Sequence, residues 1–369
     1  MSRFIQLHLL TAYPPANLNR DDMGSPKTAK MGGYDRLRVS SQCLKRAWRT
    51  SDLFEQALEG HIGIRTKEMG MKVYKRLIDK GVKHKDAVNW TKSIAGVFGK
   101  LKCLSKKEKD ALKNLPEDEQ KKKELVEIEI EQLSFFDTEE DKSIFELSDR
   151  VAERNEGPIA EELNLLRKKI TAVDIAMFGR MLASSPAFNV EAACQVAHAI
   201  SVHPIVIEDD YFTAVDDLNN GMEDMGAAHI GETRFAAGLF YSYICINREL
   251  LIQNLDGNGE LANKAIRSLA EAAVKVAPEG KQNSFASRAY ASYVLAEKGD
   301  QQPRSLSVAY LKPINHRENN DFIIDSIDAL IKQKNSFDHV YGNCADSRCE
   351  LNVPKDQGSL SELLNFVGK

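Results

Sequence analysis

The sequence predicts an α+β protein, with one sheet that carries helices on one side. The segments from Arg3 to Thr11 and from Thr233 to Asn247 are apolar on both faces, which is typical of central strands. Between them, from Glu59 to about Leu165, apolar residues recur with helical periodicity. The predicted order of elements is strand, helix, strand and helix, followed by further strands. This order suits a ferredoxin-like or RNA-recognition-motif core that two insertions interrupt.

The predicted elements follow in chain order. The first strand ends at Pro14-Pro15, and a helix spans Gln42 to Leu58. After the helical insertion, strand character returns from Lys169 to Met181, and a buried helix covers Glu191 to Ser201. Turn signals then mark a long excursion from His203 to Gly231. The remaining predictions are a helix over Glu260–Val276, strands over Ser284–Leu295 and Leu306–Leu311, and a helix near Asp321–Lys332.

Positive charge is concentrated near the N-terminus. From Lys27 to Arg49 there are seven Lys or Arg residues against one acid, Asp35. Arg36 and Arg38 alternate with apolar residues at strand spacing, which predicts both guanidinium groups on one face. Ser40 and Ser41 offer N-cap hydroxyls to the helix that follows. The pair Gly32-Gly33 would let the backbone approach a ligand closely.

The predicted helix has one polar and one apolar face. Helical spacing places these polar residues together: Gln42, Lys45, Arg46 and Arg49. The opposite face carries Leu44, Ala47, Trp48, Phe54 and Leu58. A basic face beside a helix N-terminus is suited to binding phosphate. The alternative is a solvated basic surface without a ligand.

Composition limits the class of protein. The chain has 369 residues, 43% hydrophobic content and a formal net charge of −4, so RNA binding would need a local basic groove. It has no membrane-length apolar run and no charged-then-apolar leader, so we expect a cytoplasmic protein without a membrane partner. Six scattered cysteines predict reduced thiols.

The common hydrolase, nucleotide-binding and zinc motifs do not occur, so we expect neither an enzyme nor a cofactor or metal. His198 falls on a predicted apolar helix and is interpreted as a core residue, whereas His203 and His229 could meet RNA. Asp174 lies within a strand pattern, where a hydrogen-bonded structural role is expected.

Three ordered blocks resemble a known family. They are LNRDDMG-xPK with GGxxRLRVSSQCLKRAWR, then AVDIAMFGRM from Ala172 to Met181, then the segment from Asp209 to Asn247 that contains GAAHIGETRFAAGLFYSYICIN. They resemble the CasC family, the repeated backbone subunits of the type I-E CRISPR complex Cascade. The resemblance spans most of the chain to about Asn247.

The resemblance implies an anatomy and a set of contacts. A palm would comprise residues 1–58, 167–201 and 233–369, with helical fingers at 59–166 and a thumb hairpin at 202–232. The implied guide-RNA contacts are Arg20, Lys27, Ser40, Gln42, Lys45, Arg46, Arg49, Met177, Phe178, Gly179, Arg180 and His203. Arg46 could instead pair with an acid, and Met177 and Phe178 could instead be core residues.

The same resemblance implies partners. They are the CRISPR guide RNA, target DNA through that guide, other Cascade subunits, and copies of the chain in a helical filament. Acids of the thumb (Glu208, Asp209, Asp210, Asp216 and Asp217) would meet the basic palm of the next copy. Two other hypotheses stay open. One is a metal-dependent RNase of the type III sort that uses Asp21 and Asp22, and the other is a purely structural assembly protein.

Overall fold

The computed structural model describes residues 2–112, 115–214, 229–315 and 321–369. It confirms the predicted α+β class, with an antiparallel sheet. The chain divides into two compact units. Unit 1 comprises Met1–Ala57, Cys194–Glu249 and Asn263–Lys369, and unit 2 comprises Leu58–Ala193 and Leu250–Ala262. The division into palm, fingers and thumb stays a prediction.

The strands are β1 (Phe4–Ala16), β2 (Thr28–Met31), β3 (Tyr34–Val39), β4 (Ile64–Thr66), β5 (Ser134–Phe136), β6 (Cys194–Val196), β7 (Ala199–Ser201), β8 (Glu208–Ala214), β9 (His229–Asn247), β10 (Ala291–Gly299) and β11 (Ser347–Asn352). The helices are α1 (Ser41–Arg49), α2 (Asp52–Ala57), α3 (Met69–Asp79), α4 (His84–Ala95), α5 (Lys106–Leu112), α6 (Glu117–Glu124), α7 (Thr138–Arg154), α8 (Val173–Phe178), α9 (Arg248–Asn254), α10 (Gly259–Lys275), α11 (Gln282–Phe285), α12 (Phe322–Tyr341) and α13 (Leu360–Val367). Short 3₁₀ helices cover Leu125–Ile128, Ala160–Leu163, Pro186–Phe188, Ser307–Tyr310 and Val353–Lys355.

Unit 1 is built on a sheet whose nine strands, among the described residues, run in the order β11-β10-β1-β9-β7-β3-β2, with β6 and β8 also paired to β9. Strand β9 is 19 residues long and pairs with four other strands, so it organises the sheet. Apolar residues of β1, β9 and β10 form a core with α12, which contributes Ile327 and Leu330. Burial of both faces explains why β1 and β9 carry almost continuous apolar sequence.

Unit 2 is mainly helical. Helices α3, α4 and α7 share a core in which Val73, Leu77, Ile94, Leu147 and Val151 are buried. The two-stranded sheet of β4 and β5 is its β component. None of the helices in the described ranges is long and apolar enough to cross a lipid bilayer.

The predictions for the long strands and helices are confirmed, with changed ends. Strand β1 continues through Pro14-Pro15 to Ala16, because its register with β9 shifts between Tyr13 and Ala16 at a bulge that accommodates prolines. The predicted helix from Gln42 to Leu58 is two helices. Thr50 is the C-cap of the first helix, and the Ser51 hydroxyl caps the second by accepting a hydrogen bond from Phe54 N at 3.3 Å.

Four shorter elements were predicted wrongly. The strand predicted over Lys169–Met181 contains α8, and the helix predicted over Glu191–Ser201 contains the strands β6 and β7, each paired with β9. The strand predicted from Ser284 begins at Ala291, and that predicted over Leu306–Leu311 is a 3₁₀ helix. Short segments that are apolar on all sides have no face preference, so periodicity does not separate helix from strand there.

Candidate nucleic-acid interface

The hairpin of β2 and β3 leads the chain into the basic helix. Gly32 and Gly33 form its two-residue turn, with φ of +61° and +85°, the conformation that favours glycine. A Cβ on Gly32 would overlap the carbonyl oxygen of Leu311. Gly32 therefore makes close contact with the protein's own backbone, in place of the close approach to a ligand that the sequence suggested.

The two arginines of β3 have different environments. Arg36 is buried and donates hydrogen bonds to the carbonyl oxygens of Ser201 at 3.0 Å and Tyr310 at 2.9 Å. Arg38 is partly exposed, and its Nε donates to Thr28 O at 3.2 Å. Arg36 therefore adds no charge to the basic surface that the sequence indicated, because carbonyl oxygens in the core bind its guanidinium group.

Helix α1 has the predicted amphipathic arrangement. The Ser40 side chain accepts from Cys43 N at 3.3 Å, which confirms the predicted N-cap. Leu44, Ala47 and Trp48 are buried. On the polar face Gln42 and Arg46 are exposed, and Lys45 and Arg49 are partly exposed. The helix thus presents three cationic side chains on a surface accessible to an anion.

Two backbone amides at the N-terminus of α1 already have hydrogen-bond acceptors within the protein. The Cys43 amide donates to Ser40, and the Ser41 amide donates to Nδ1 of His198 at 3.0 Å. Ser40 is itself buried and donates its amide to Asn19 Oδ1 at 2.9 Å. Ser40 therefore acts in the structure as a cap that holds the loop before β2 against the start of the helix.

That loop positions Arg20 and Lys27. Arg20 pairs with Pro26 in an isolated antiparallel bridge, and the Lys27 amide donates to Asn19 O at 2.8 Å. Arg20 is exposed and Lys27 partly so. Arg20 and Arg46 line one cavity of about 540 Å³, together with the acids Asp21, Asp22 and Glu279. Sequence reasoning missed Glu279, because no local pattern links it to residues more than 200 positions earlier.

The hypothesis of a metal-dependent RNase depends on Asp21 and Asp22. Oδ1 of Asp21 accepts from the amides of Met23 at 3.0 Å and Ser25 at 2.9 Å, so this carboxylate closes its own turn. Among the residues that the structure describes, no group of three or more His, Cys, Asp or Glu side chains could hold a metal ion.

The second predicted contact block lies in unit 2. Met177 is fully buried, Phe178 is partly exposed, and Gly179 has φ of +82° at the end of α8. Arg180 is buried, and its Nη1 donates to Glu140 Oε2 at 2.7 Å. In place of the predicted contact with RNA, the structure therefore gives Met177 and Arg180 positions in the core. Sequence spacing did not show the partner of Arg180, since Glu140 precedes it by 40 residues.

Two histidines differ from their predicted roles. Both ring nitrogens of His203 bind the backbone: Nδ1 donates to Pro204 O at 2.8 Å, and Nε2 accepts from Leu239 N at 3.2 Å. Burial lowers the pKa of His203, in keeping with a neutral ring. His203 therefore has no ring nitrogen left for RNA in this structure. His198, interpreted above as a core residue, is exposed in the two-residue segment between β6 and β7.

Asp174 has the predicted structural role, since Oδ1 accepts from Gly63 N at 2.8 Å and Ile175 N at 3.1 Å. Of the acids predicted to meet a neighbouring copy, Glu208, Asp209 and Asp210 lie exposed on β8. Asp209 accepts from Arg234 Nε at 2.9 Å. Asp216 and Asp217 lie outside the described residues, and the side chain of His229 does as well.

Comparison with solved structures finds chains of the same fold, among them the following two. One, from a structure described as a CRISPR RNA-guided surveillance complex, pre-nicking, is 25% identical with a TM-score of 0.81, and the match covers 99% of each chain. The other, from a CRISPR RNA-guided surveillance complex, is 24% identical with a TM-score of 0.58, over 98% of this chain and 92% of that chain. No curated protein matches the sequence.

The comparison with protein families gives a match to the family described as CT1975-like protein, over residues 5–364. This range includes all three sequence blocks that resemble CasC. The chain belongs to the CT1975-like family of Cas proteins, and its predicted recognition as a Cascade-type backbone subunit is confirmed.

Proposed function

We propose that this protein is a non-catalytic, guide-RNA-binding backbone subunit of a type I-E CRISPR Cascade complex in antiviral defence. Copies bind the CRISPR RNA head to tail through an RNA-recognition-motif-like palm, and they present its bases for pairing with target DNA. The observation that carries the proposal is the basic face of α1. Lys45, Arg46 and Arg49 lie on one accessible face of a chain whose net charge is −4.

The chemistry of this surface suits an arbitrary guide sequence. Its side chains are cations and one amide, which bind phosphate and sugar oxygens without reading base edges. Arg20 and Lys27 extend the basic surface from the loop before β2. Sequence specificity would then come from base pairing between guide and target, while the protein holds the RNA backbone.

Binding of labelled single-stranded RNA over a salt series tests this proposal. The Lys45→Ala/Arg49→Ala variant should bind more weakly and should have a shallower dependence of log affinity on log salt. The slope should fall by about 0.7 for each phosphate that the variant no longer neutralises. A matched control is Lys332→Ala/Lys334→Ala, which removes the same charge from α12.

Equal reductions of affinity in the two double variants would mean that total charge, and not the face of α1, governs binding. Wild-type protein that binds no RNA at low salt would refute the proposal for the isolated chain. Assembly is tested separately, by sedimentation with RNAs of increasing length. The sedimentation coefficient should rise stepwise as more copies bind.

The non-catalytic part of the proposal has its own test. Labelled RNA incubated with protein and Mg²⁺ should stay intact over hours. Cleavage that disappears in an Asp21→Ala/Asp22→Ala variant would establish the RNase alternative instead. Cleavage that persists in that variant would indicate a contaminating nuclease.

A further inference from the structure

His198 lies beside the basic surface that the sequence assigned to RNA. It lies in the two-residue segment between β6 and β7, which pair in succession with β9, and β7 also pairs with β3 so that Ala199 lies opposite Val39. This register places His198 next to Ser40 and Ser41, at the first turn of α1. The preceding residue is bound to β9, because the Ala197 amide donates to Tyr243 O at 2.9 Å.

The hydrogen bond from Ser41 defines the tautomer of His198. The Ser41 amide can only donate, so Nδ1 must accept with its lone pair at the observed 3.0 Å. In the neutral ring, the proton is then on Nε2. The ring is exposed, so Nε2–H is a donor that an incoming ligand can reach.

Two cations share this region with His198. Although His198 is exposed, the folded chain removes part of its ring from water, and this partial desolvation is the largest cause that lowers its pKa; the positive charges of Arg38 and then Lys27 lower it further. Protonation of the ring would also place a proton on Nδ1 and break the bond to Ser41. An anion attracted by Arg38 and Lys27 therefore meets a neutral, directional N–H donor beside the first turn of α1.

We propose that His198 is a further guide-RNA contact residue, whose Nε2–H donates a hydrogen bond to a phosphate oxygen of the RNA. The inference rests on the proposed RNA-binding function and adds a residue to it. The lysines and arginines supply charge, whereas His198 sets the position of one phosphate relative to the first turn of α1. A neutral donor differs from a cation in one measurable respect, since its removal does not change the number of counterions released on binding.

The test compares His198→Asn and His198→Gln with wild type. Asparagine places Oδ1 where Nδ1 was and so keeps the bond to Ser41, but it has no group at the position of Nε2. The Asn variant should bind RNA about tenfold more weakly, the reduction expected for one hydrogen bond to a charged group. Its salt slope and melting temperature should equal those of wild type. Glutamine, which can reach with its amide N–H, should recover part of the affinity.

His339→Asn, at an exposed position on α12, is the matched control and should change nothing. Wild-type affinity in His198→Asn would overturn the inference, and so would a weaker affinity accompanied by a shallower salt slope or a lower melting temperature. Lys45→Ala/Arg49→Ala is measured in the same series. If that variant binds more weakly and His198→Asn does not, only the role of His198 fails. If wild type binds no RNA, both proposals fail.

Discussion

Replacing Arg180 by methionine should destabilise unit 2 by about 3 kcal/mol and leave RNA affinity unchanged. The perturbation removes one partner of a buried ion pair, since the side chains of Arg180 and Glu140 are 1% and 0% exposed. Methionine keeps most of the apolar volume of the arginine stem. The remaining effect is the removal of the charge and the hydrogen bonds of the guanidinium group.

The magnitude follows from what the Glu140 carboxylate would retain. Breaking a buried pair costs about 3–5 kcal/mol, because one charge stays buried without compensation. Glu140 still accepts from the amides of Asp137 at 3.0 Å and Arg167 at 2.9 Å, which favours the lower end of that range. The carbonyl oxygens of Phe188 and Arg167, each 3.2 Å from Nη2, would be left without the guanidinium donor.

Urea unfolding followed by tryptophan fluorescence can isolate unit 2. The chain has two tryptophans, Trp48 in unit 1 and Trp90 in unit 2, and Trp90 packs against the unit 2 core. In a Trp48→Phe background the signal therefore reports unit 2 alone. The control is Arg154→Met, which breaks the more exposed pair with Glu162, also 2.7 Å long, and should lower the stability of unit 2 far less because water can solvate both groups.

Two results would refute this reasoning. If Glu140→Gln/Arg180→Met is no more stable than Arg180→Met, a buried unpaired charge is not the cause of the destabilisation. If Arg180→Met keeps the stability of wild type and binds RNA more weakly, Arg180 is the RNA contact that the family resemblance implied.

Two further predictions concern unit 1, with Trp48 as the fluorescent probe in a Trp90→Phe background. Gly32→Ala should lower the free energy of unfolding clearly more than Gly33→Ala. Both glycines have positive φ, but only the methyl group at position 32 would overlap the Leu311 carbonyl. Equal losses of stability would contradict the turn geometry. Burial lowers the pKa of His8 below 6.5, so the unfolded chain binds a proton more readily, and stability should decrease as pH falls through about 6.5. The stability difference between wild type and His8→Gln should therefore shrink between pH 7.5 and pH 5, and a difference that is constant with pH would show that His8 does not titrate in this way.

The basic face of α1 could be predicted from sequence because its causes are local. The Ser40 cap acts on an amide three residues away, and the spacing of Leu44, Ala47 and Trp48 reflects one turn of helix. The long strands β1 and β9 could be predicted for a similar reason, since burial on both faces requires a run of apolar residues. The family could be recognised from sequence because ordered blocks of residues carry the resemblance, and the match over residues 5–364 confirms it.

The environment of each charged side chain depended on contacts that are distant in sequence. Arg36 and Arg38 occupy equivalent positions in the strand pattern. Arg36 is nevertheless buried, because it donates to a carbonyl oxygen 274 residues away. Arg180 likewise pairs with Glu140, whereas His198, predicted on a core helix, is exposed in the segment between β6 and β7, beside α1. Local periodicity records which faces are apolar. Which cations reach the surface is decided by packing, because a buried charge requires partners that only the folded chain brings together.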